Sequence, residues 1–181
     1  HSFPTRRSSD LIEFLTLENI KFSCLINNAA QQTVGRYIDI DDADIIVNLL
    51  GTMNFTKATL PFIKKQGQIL NILSVHSSLP RENHIPYDVS KAGLEMFTKE
   101  LALELSSVPI NVNGLKIGAT NTRMNDYFCN KADEEKALLK IPLKKIMQPI
   151  DVANIVFEIT TKLAKYTTGS CFTIDYGRSL I

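Results

Sequence analysis

Several features that mark particular classes of protein are missing from this sequence of 181 residues. Its three cysteines, Cys24, Cys129 and Cys171, are far apart and have no C-x-x-C spacing, which argues against a disulfide framework or a zinc site. No apolar run approaches the roughly 20 residues that span a bilayer. The net charge is only +1 without a basic block, so neither nucleic acid nor a membrane surface is an expected partner. With no apolar leader segment, a reducing, cytoplasmic location is the expectation.

A glycine-rich phosphate-binding motif is also missing. None of the eight glycines lies in a T-G-x-x-x-G-x-G or G-x-G-x-x-G pattern, the kind that brings a backbone close to dinucleotide phosphates. What is present is ordinary for a globular protein. The hydrophobic content of 44% is sufficient for a core, and the length fits one domain.

Residues 1–11, HSFPTRRSSDL, differ from the rest of the chain. They show neither helical nor strand periodicity. They resemble, at every position, the in-frame translation of a common sequencing adapter. We therefore predict that residues 1–11 are an adapter-derived, non-native segment and that residues 12–181 are the C-terminal part of a single domain. A basic tail or targeting segment is the alternative interpretation.

The remaining sequence alternates short apolar runs with helical patterns, which predicts an α/β fold with a parallel sheet. The predicted strands are Phe22–Ile26, Gln68–Leu73, Ile110–Leu115 and Cys171–Ile174. The predicted helices are Asp41–Lys65, with a kink or end near Pro61, Tyr87–Leu105, and a helix from an Asp151 N-cap to Lys165.

Tyr87 and Lys91 lie four residues apart on one predicted helix, so their Cβ atoms are about 5–6 Å apart. A lysine ammonium at that distance favours tyrosinate, and we expect it to lower the pKa of the phenol toward neutrality. Such a phenol can donate a proton to a developing alkoxide or accept one from an alcohol. A surface helix pair is the alternative, because this spacing alone is common.

Ser74 favours the catalytic interpretation. It directly follows the predicted strand Gln68–Leu73, and the carboxyl ends of parallel strands face the ligand crevice. A hydroxyl at this place can hold a substrate oxygen beside the phenol of Tyr87. Ser77 and Ser78 are nearby competitors, and a loop-capping hydroxyl is the structural alternative for Ser74.

Taken together, the motifs of the chain resemble those of the short-chain dehydrogenase/reductase family, in family order and near family spacing. They are Asn27-Asn28-Ala29-Ala30, Asn48-Leu49-Leu50-Gly51, Leu70-Asn71-Ile72-Leu73-Ser74, Tyr87 to Lys91, Ile110-Asn111-Val112-Asn113 with Gly118 and Thr122, and Thr168-Gly169 with Asp175 and Gly177. The segments Ser74-Val75-His76 and Gly118 to Thr122 are similar to those of bacterial glucose dehydrogenase-like members. Tyr176 and Ile117 stand where the family has glycine and proline.

This resemblance implies a Rossmann-like, doubly wound parallel sheet of strand order 3-2-1-4-5-6-7, of which strands 1–3 would be missing here. It implies an NAD- or NADP-dependent oxidoreductase that interconverts an alcohol and a carbonyl, glucose dehydrogenase-like or 3-oxoacyl reductase-like, without a metal. A homotetramer would form through the helices Asp41–Lys65 and Tyr87–Leu105. Because the phosphate loop is missing, we expect the 181-residue chain alone to bind dinucleotide weakly and to be inactive.

Site roles also follow from the resemblance. Asn48 would hold a water in a proton relay, Ser74 would orient the carbonyl, and Tyr87 would be the general acid/base. Lys91 would bind the nicotinamide ribose. The further cofactor-binding residues would be Asn27, Ala29, Gly118, Thr120 and Thr122.

Two other functions remain open at the level of the sequence. A non-catalytic relative could keep the fold as a binding or scaffolding protein, although such a protein has no need of Asn48, Ser74, Tyr87 and Lys91 together. An epimerase or dehydratase of the extended branch of the superfamily is disfavoured by the short segment after the last strand, since those enzymes carry a larger C-terminal substrate domain.

Overall fold

A computed structural model describes residues 8–124 and 131–181 of the chain. The strands β1 (Phe22–Asn27), β2 (Ile63–Ser74), β3 (Asn111–Ile117) and β4 (Cys171–Ile174) form one parallel sheet in the order β1-β2-β3-β4. This order is the one expected for four consecutive strands of a Rossmann-like sheet. Residues 1–7 of the predicted adapter segment and Cys129 lie outside the described residues.

Helices connect the strands. They are α1 (Ser8–Leu17), α2 (Ala43–Ile45), α3 (Thr52–Thr59), α4 (Ile85–Glu104), α5 (Lys131–Leu139) and α6 (Pro149–Glu158). Two π-helical turns, Ile46–Gly51 and Ile159–Leu163, interrupt or extend them. Short 3-10 turns follow several elements, including Leu60–Phe62 after α3 and Val75–Ser77 after β2.

The sheet is covered on both faces. Ile69 of β2 packs in one cluster with Leu101 of α4 and Leu105, which directly follows α4. Its neighbour Leu70 packs in a second cluster with Ile159, which directly follows α6. Successive side chains of a strand point to opposite faces, so these clusters lie on opposite sides of the sheet. Each fully buried aliphatic side chain contributes about 1.5–3 kcal/mol. The predicted doubly wound α/β architecture is therefore confirmed.

The predicted helix Asp41–Lys65 is too long at both ends, although the end expected near Pro61 is confirmed. The helix begins at Ala43, and its regular part ends at Thr59, before the 3-10 turn that contains Pro61. Proline fixes its own φ and has no N–H for a helical bond, and after it the backbone becomes extended at Ile63. Ile63 pairs with Phe22, so Lys64 and Lys65 belong to β2 and not to a helix.

Two smaller expectations also change. Asp151 is not the N-cap of α6, because Gln148 is, and the Asp151 carboxylate accepts the backbone N–H of Gln148 at 2.8 Å in a capping box. Residues 8–11 were expected to be irregular, yet they lie in α1 (Ser8–Leu17). The adapter origin of residues 1–11 stays a prediction.

No helix within residues 8–124 and 131–181 is both long enough and apolar enough to cross a membrane.

Candidate active site

Ser74 and Tyr87 meet at the carboxyl edge of the sheet. Ser74 is the last residue of β2 and pairs with Ile117, the last residue of β3. The chain returns to this edge at the start of α4, where the Ser74 hydroxyl lies beside the phenol of Tyr87 and lowers its pKa by side-chain hydrogen bonding. Both side chains are buried. The juxtaposition predicted from the place of Ser74 at the carboxyl end of its strand is therefore present.

The competing serines have other partners. The Ser77 hydroxyl donates to Glu95 at 2.6 Å, and the Ser78 hydroxyl accepts from Lys116 at 2.7 Å. Lys116 and Glu95 form an ion pair at 2.9 Å that ties β3 to α4. Ser74 is thus the serine that faces Tyr87, and its oxygen also accepts the backbone N–H of His76 at 3.1 Å.

The pKa of Tyr87 is raised, whereas the sequence predicted that Lys91 would lower it. Burial raises the pKa of this phenol above its ordinary value, and the carboxylates of Asp88 and Asp44 raise it further. The hydrogen bond from Ser74 and the positive charge of Arg81 lower the pKa, but they do not offset burial. The prediction of a phenol tuned toward neutrality is therefore wrong for this arrangement.

Lys91 lies under the phenol without touching its oxygen. Its Nζ is 5.7 Å from the centroid of the Tyr87 ring and donates to the backbone carbonyl of Ile72 at 2.8 Å. The side chain is almost fully buried, and this burial lowers the pKa of the ammonium to about 8. The carbonyl fixes the lysine between β2 and α4, one turn from Tyr87.

Asn48 is connected to the site through α4. It lies in the π-helical turn Ile46–Gly51, a feature frequent at functional sites. Its side-chain amide bonds both the N–H and the C=O of Gln31, at 2.8 and 2.9 Å, and donates to Ser90 at 3.0 Å. Ser90 in turn donates to the carbonyl of Tyr87 at 2.6 Å. Asn48 therefore holds the loop after β1 and the first turn of α4 together.

The residues predicted to bind cofactor lie at the same edge but have mixed surroundings. Asn27 is buried and donates to Asn71 at 2.8 Å and to Thr56 at 3.0 Å, so its amide group joins β1, β2 and α3. Ala29 and Thr122 are exposed. The water, substrate and cofactor contacts assigned to these positions stay predictions.

Gly118 and Thr120 shape the chain after β3. A Cβ on Gly118 would lie 2.8 Å from the Cα of Asp175, so glycine permits the close approach of these two segments. The Thr120 hydroxyl is buried and donates to the Gly118 carbonyl at 3.2 Å. Tyr176 stands where the family has glycine, and its φ of +54° lies in the left-handed region that favours glycine.

Four residues near Tyr87 were not identified from the sequence. Arg81 stacks over the Tyr87 ring and pairs with Asp88, and Asp44 accepts both the N–H and the hydroxyl of Thr33. Ser90 is the fourth. Asp88 and Ser90 stand inside the Tyr87–Lys91 motif, where a contact could have been suspected. Arg81 and Asp44 have no local signal, because only the fold brings them close.

The donor set fits the nicotinamide-ribose end of a dinucleotide. The Lys91 ammonium has three donors, and its hydrogen-bond partner among the described residues is Ile72, which leaves N–H groups for ribose hydroxyls. The phenol and the Ser74 hydroxyl lie beside it. No group of three or more His, Cys, Asp or Glu side chains in the described part of the chain could hold a metal ion.

A parallel, doubly wound sheet with a serine, a tyrosine and a lysine at its carboxyl edge defines a Rossmann-like protein with these three side chains at the edge where such sheets bind ligands. The family model described as "Enoyl-(Acyl carrier protein) reductase" matches residues 7–179. The chain belongs to the short-chain dehydrogenase/reductase family of oxidoreductases, as its motifs indicated.

Named relatives support this assignment. The chain is 35% identical to glucose 1-dehydrogenase 2 of Bacillus subtilis over 75% of its own length and 54% of that protein, and 33% identical to the 3-oxoacyl-[acyl-carrier-protein] reductase FabG of Thermotoga maritima over 93% and 70%. A solved structure of 4-hydroxyisoleucine dehydrogenase complexed with NADH is 27% identical, with a TM-score of 0.85 over 96% of this chain and 74% of that one. The chain thus spans little more than half of the first of these relatives.

Proposed function

We propose that the protein containing this chain is an NAD- or NADP-dependent oxidoreductase that interconverts an alcohol and a carbonyl. The observation that carries the proposal is the buried group formed by Ser74, Tyr87 and Lys91 at the carboxyl edge of the sheet. The structure of 4-hydroxyisoleucine dehydrogenase contains NADH, which supports a nicotinamide cofactor. That cofactor supplies or accepts the hydride when bound.

The side chains divide the remaining work. The Ser74 hydroxyl orients the substrate oxygen, and the Tyr87 phenol gives that oxygen a proton during reduction or removes one during oxidation. Lys91 holds the ribose of the cofactor with the N–H groups that Ile72 does not use. Asn48 fixes the first turn of α4, on which Tyr87 and Lys91 stand, through Ser90.

The substrate class is a secondary alcohol or its carbonyl, either an aldose or a 3-oxoacyl thioester, since the two named sequence relatives act on such compounds. With an acetoacetyl thioester as substrate, we expect the complete gene product to oxidise NADH or NADPH. With glucose, we expect it to reduce NAD or NADP. The absorbance at 340 nm measures both reactions. Alcohol oxidation should accelerate as the pH rises, because it needs the phenolate and the pKa of Tyr87 is raised.

The control for this assay is the 181-residue chain, which has no glycine-rich phosphate motif and should bind dinucleotide weakly. A complete protein that binds NADH or NADPH but turns over none of a broad set of alcohols, aldehydes and ketones would favour the non-catalytic relative instead. A rate of alcohol oxidation that falls with rising pH would contradict the role of Tyr87 as the base.

Self-association is part of the same proposal. Val89, Met96 and Leu103 are exposed on α4 at steps of seven residues, so they form one apolar stripe, and Ile46 and Leu50 are exposed nearby along the chain segment that precedes α3. A second copy of the chain would cover such a stripe in a homo-oligomer, a tetramer by family resemblance.

Leu103→Glu is expected to shift the protein to a smaller oligomer, because it places a charge in the stripe. The measurement is molar mass by light scattering during size-exclusion chromatography. Leu139→Glu on α5 is the matched control, since both leucines are 72% exposed and the substitution is the same. Equal molar masses for the two variants would argue against an interface on α4.

A further inference from the structure

Of the two cationic side chains that lie over the ring of Tyr87, Arg81 is the closer. The guanidinium carbon is 5.2 Å from the ring centroid, whereas the Nζ of Lys91 is 5.7 Å from it and donates to Ile72. A guanidinium over an aromatic face is attracted by the negative face of the ring. Arg81 is therefore in position to fix the orientation of the ring and to act on its charge.

Two partners hold Arg81 over the ring. Its guanidinium donates to Asp88 at 2.7 Å and to the side-chain carbonyl of Gln32 at 3.3 Å. The side chains of Arg81 and Asp88 are 20% and 13% exposed, so this pair is screened less than a surface pair. Among the described residues, the second oxygen of Asp88 is buried without a hydrogen-bond partner. The hydrogen bonds of this carboxylate among the described residues are therefore made with Arg81.

The titratable groups around Tyr87 come from four elements, three of which carry charge. Asp88 and Lys91 stand on α4, Asp44 on α2, and Arg81 in the loop before α4, while His76 of the turn after β2 is neutral at physiological pH because burial, together with Arg81, lowers its pKa to about 4. The two carboxylates raise the pKa of the phenol, and Arg81 lowers it. Arg81 thus offsets part of the cost of burying a phenolate.

We propose that Arg81 is a positioning residue of the active site, clamped by Asp88 and Gln32, which fixes the ring of Tyr87 and supplies the positive charge that its phenolate form needs. This inference rests on the proposed role of Tyr87 as the proton-transfer group. It assigns to Arg81 an electrostatic task that the motif alone gives to Lys91. Lys91 donates one hydrogen bond to Ile72, and its other N–H groups then bind the ribose.

The test is a difference titration of tyrosinate absorbance at 295 nm, in which each protein is compared with its own Tyr87→Phe counterpart so that only Tyr87 is followed. Arg81→Met should lower the ratio of phenolate to phenol about tenfold at a given pH. Arg81→Lys, which keeps a charge, should recover part of that loss. Asp88→Asn keeps an acceptor for Arg81 but removes the negative charge, so it should raise the ratio.

The opposite signs distinguish charge from structure. If Arg81 and Asp88 only brace the loop, Arg81→Met removes the brace and Asp88→Asn at most weakens it, so the two will move the ratio of phenolate to phenol in the same direction or not at all, which would overturn the inference. Should Arg81→Met fail to fold, judged by circular dichroism, Asp88→Asn decides alone, and an unchanged or lower ratio overturns the inference. Because the titration needs no turnover, an enzyme inactive on every substrate would refute the proposed function and leave this result readable.

Discussion

Tyr87→Phe is expected to lower kcat/KM of the complete gene product by about 10²–10⁴-fold, the usual contribution of a positioned general acid or base. The substitution removes the hydroxyl and keeps the ring, so the stacking of Arg81 over the ring should persist. Affinity for NADH or NADPH should change little, because Lys91 keeps its place on the Ile72 carbonyl. The measurements are steady-state kinetics at 340 nm and dinucleotide fluorescence.

The matched control is Tyr166→Phe, which removes the same hydroxyl from a tyrosine that is 76% exposed. We expect this variant to keep full activity and to unfold at the same temperature as the parent protein. Turnover of Tyr87→Phe within a factor of two or three of the parent would remove Tyr87 from the acid/base role. Loss of activity in both variants would show that the assay reports stability rather than chemistry.

Most of the fold could be predicted from local patterns. The strand Cys171–Ile174 was predicted with the bounds that the structure has, and β1 differs by one residue at its end, Asn27. Apolar runs between turn residues are a strong signal for buried parallel strands. The error at residues 60–65 arose because Leu60 and Ile63 continue the helical spacing of apolar residues, whereas pairing with β1 places Ile63 in the sheet.

The site could be predicted only as far as its motif residues. The meeting of Ser74, Tyr87 and Lys91 follows from parallel-sheet geometry, in which the carboxyl edge collects the ligand-binding side chains. The direction of the pKa of Tyr87 could not be predicted, because it depends on burial and on Arg81, Asp88 and Asp44 together. Charges that approach through space from separate elements leave no periodic pattern in the chain.

The structural role of Asn71 was not predicted from the sequence. In the sequence Asn71 stands only as part of a strand motif, yet in the structure it is fully buried in the middle of β2. Its oxygen accepts from Asn27 at 2.8 Å, and its amide donates to Thr98 at 2.9 Å. It therefore joins β1, β2 and α4 through polar bonds within the layer that α3 and α4 cover.

Asn71→Ala is expected to lower the free energy of unfolding by about 2–4 kcal/mol, because the Asn27 amide and the Thr98 hydroxyl each lose one buried hydrogen bond, at about 1–3 kcal/mol per group. Urea unfolding followed by circular dichroism measures the loss. Asn54→Ala on α3 is the matched control, since Asn54 is exposed in a helix, where alanine is the better residue. A loss for Asn71→Ala no larger than that of the control would contradict the network.

A double-mutant cycle between Asn27 and Asn71 extends this prediction to the site. If the amide of Asn27 serves the sheet, as its bonds to Asn71 and Thr56 indicate, the two alanine substitutions should be coupled by about 0.5–3 kcal/mol in unfolding. Asn27→Ala should then weaken dinucleotide binding only through lost stability. Additive unfolding free energies together with a large, separate loss of dinucleotide affinity would instead make Asn27 a direct cofactor contact, the role that its motif first implied.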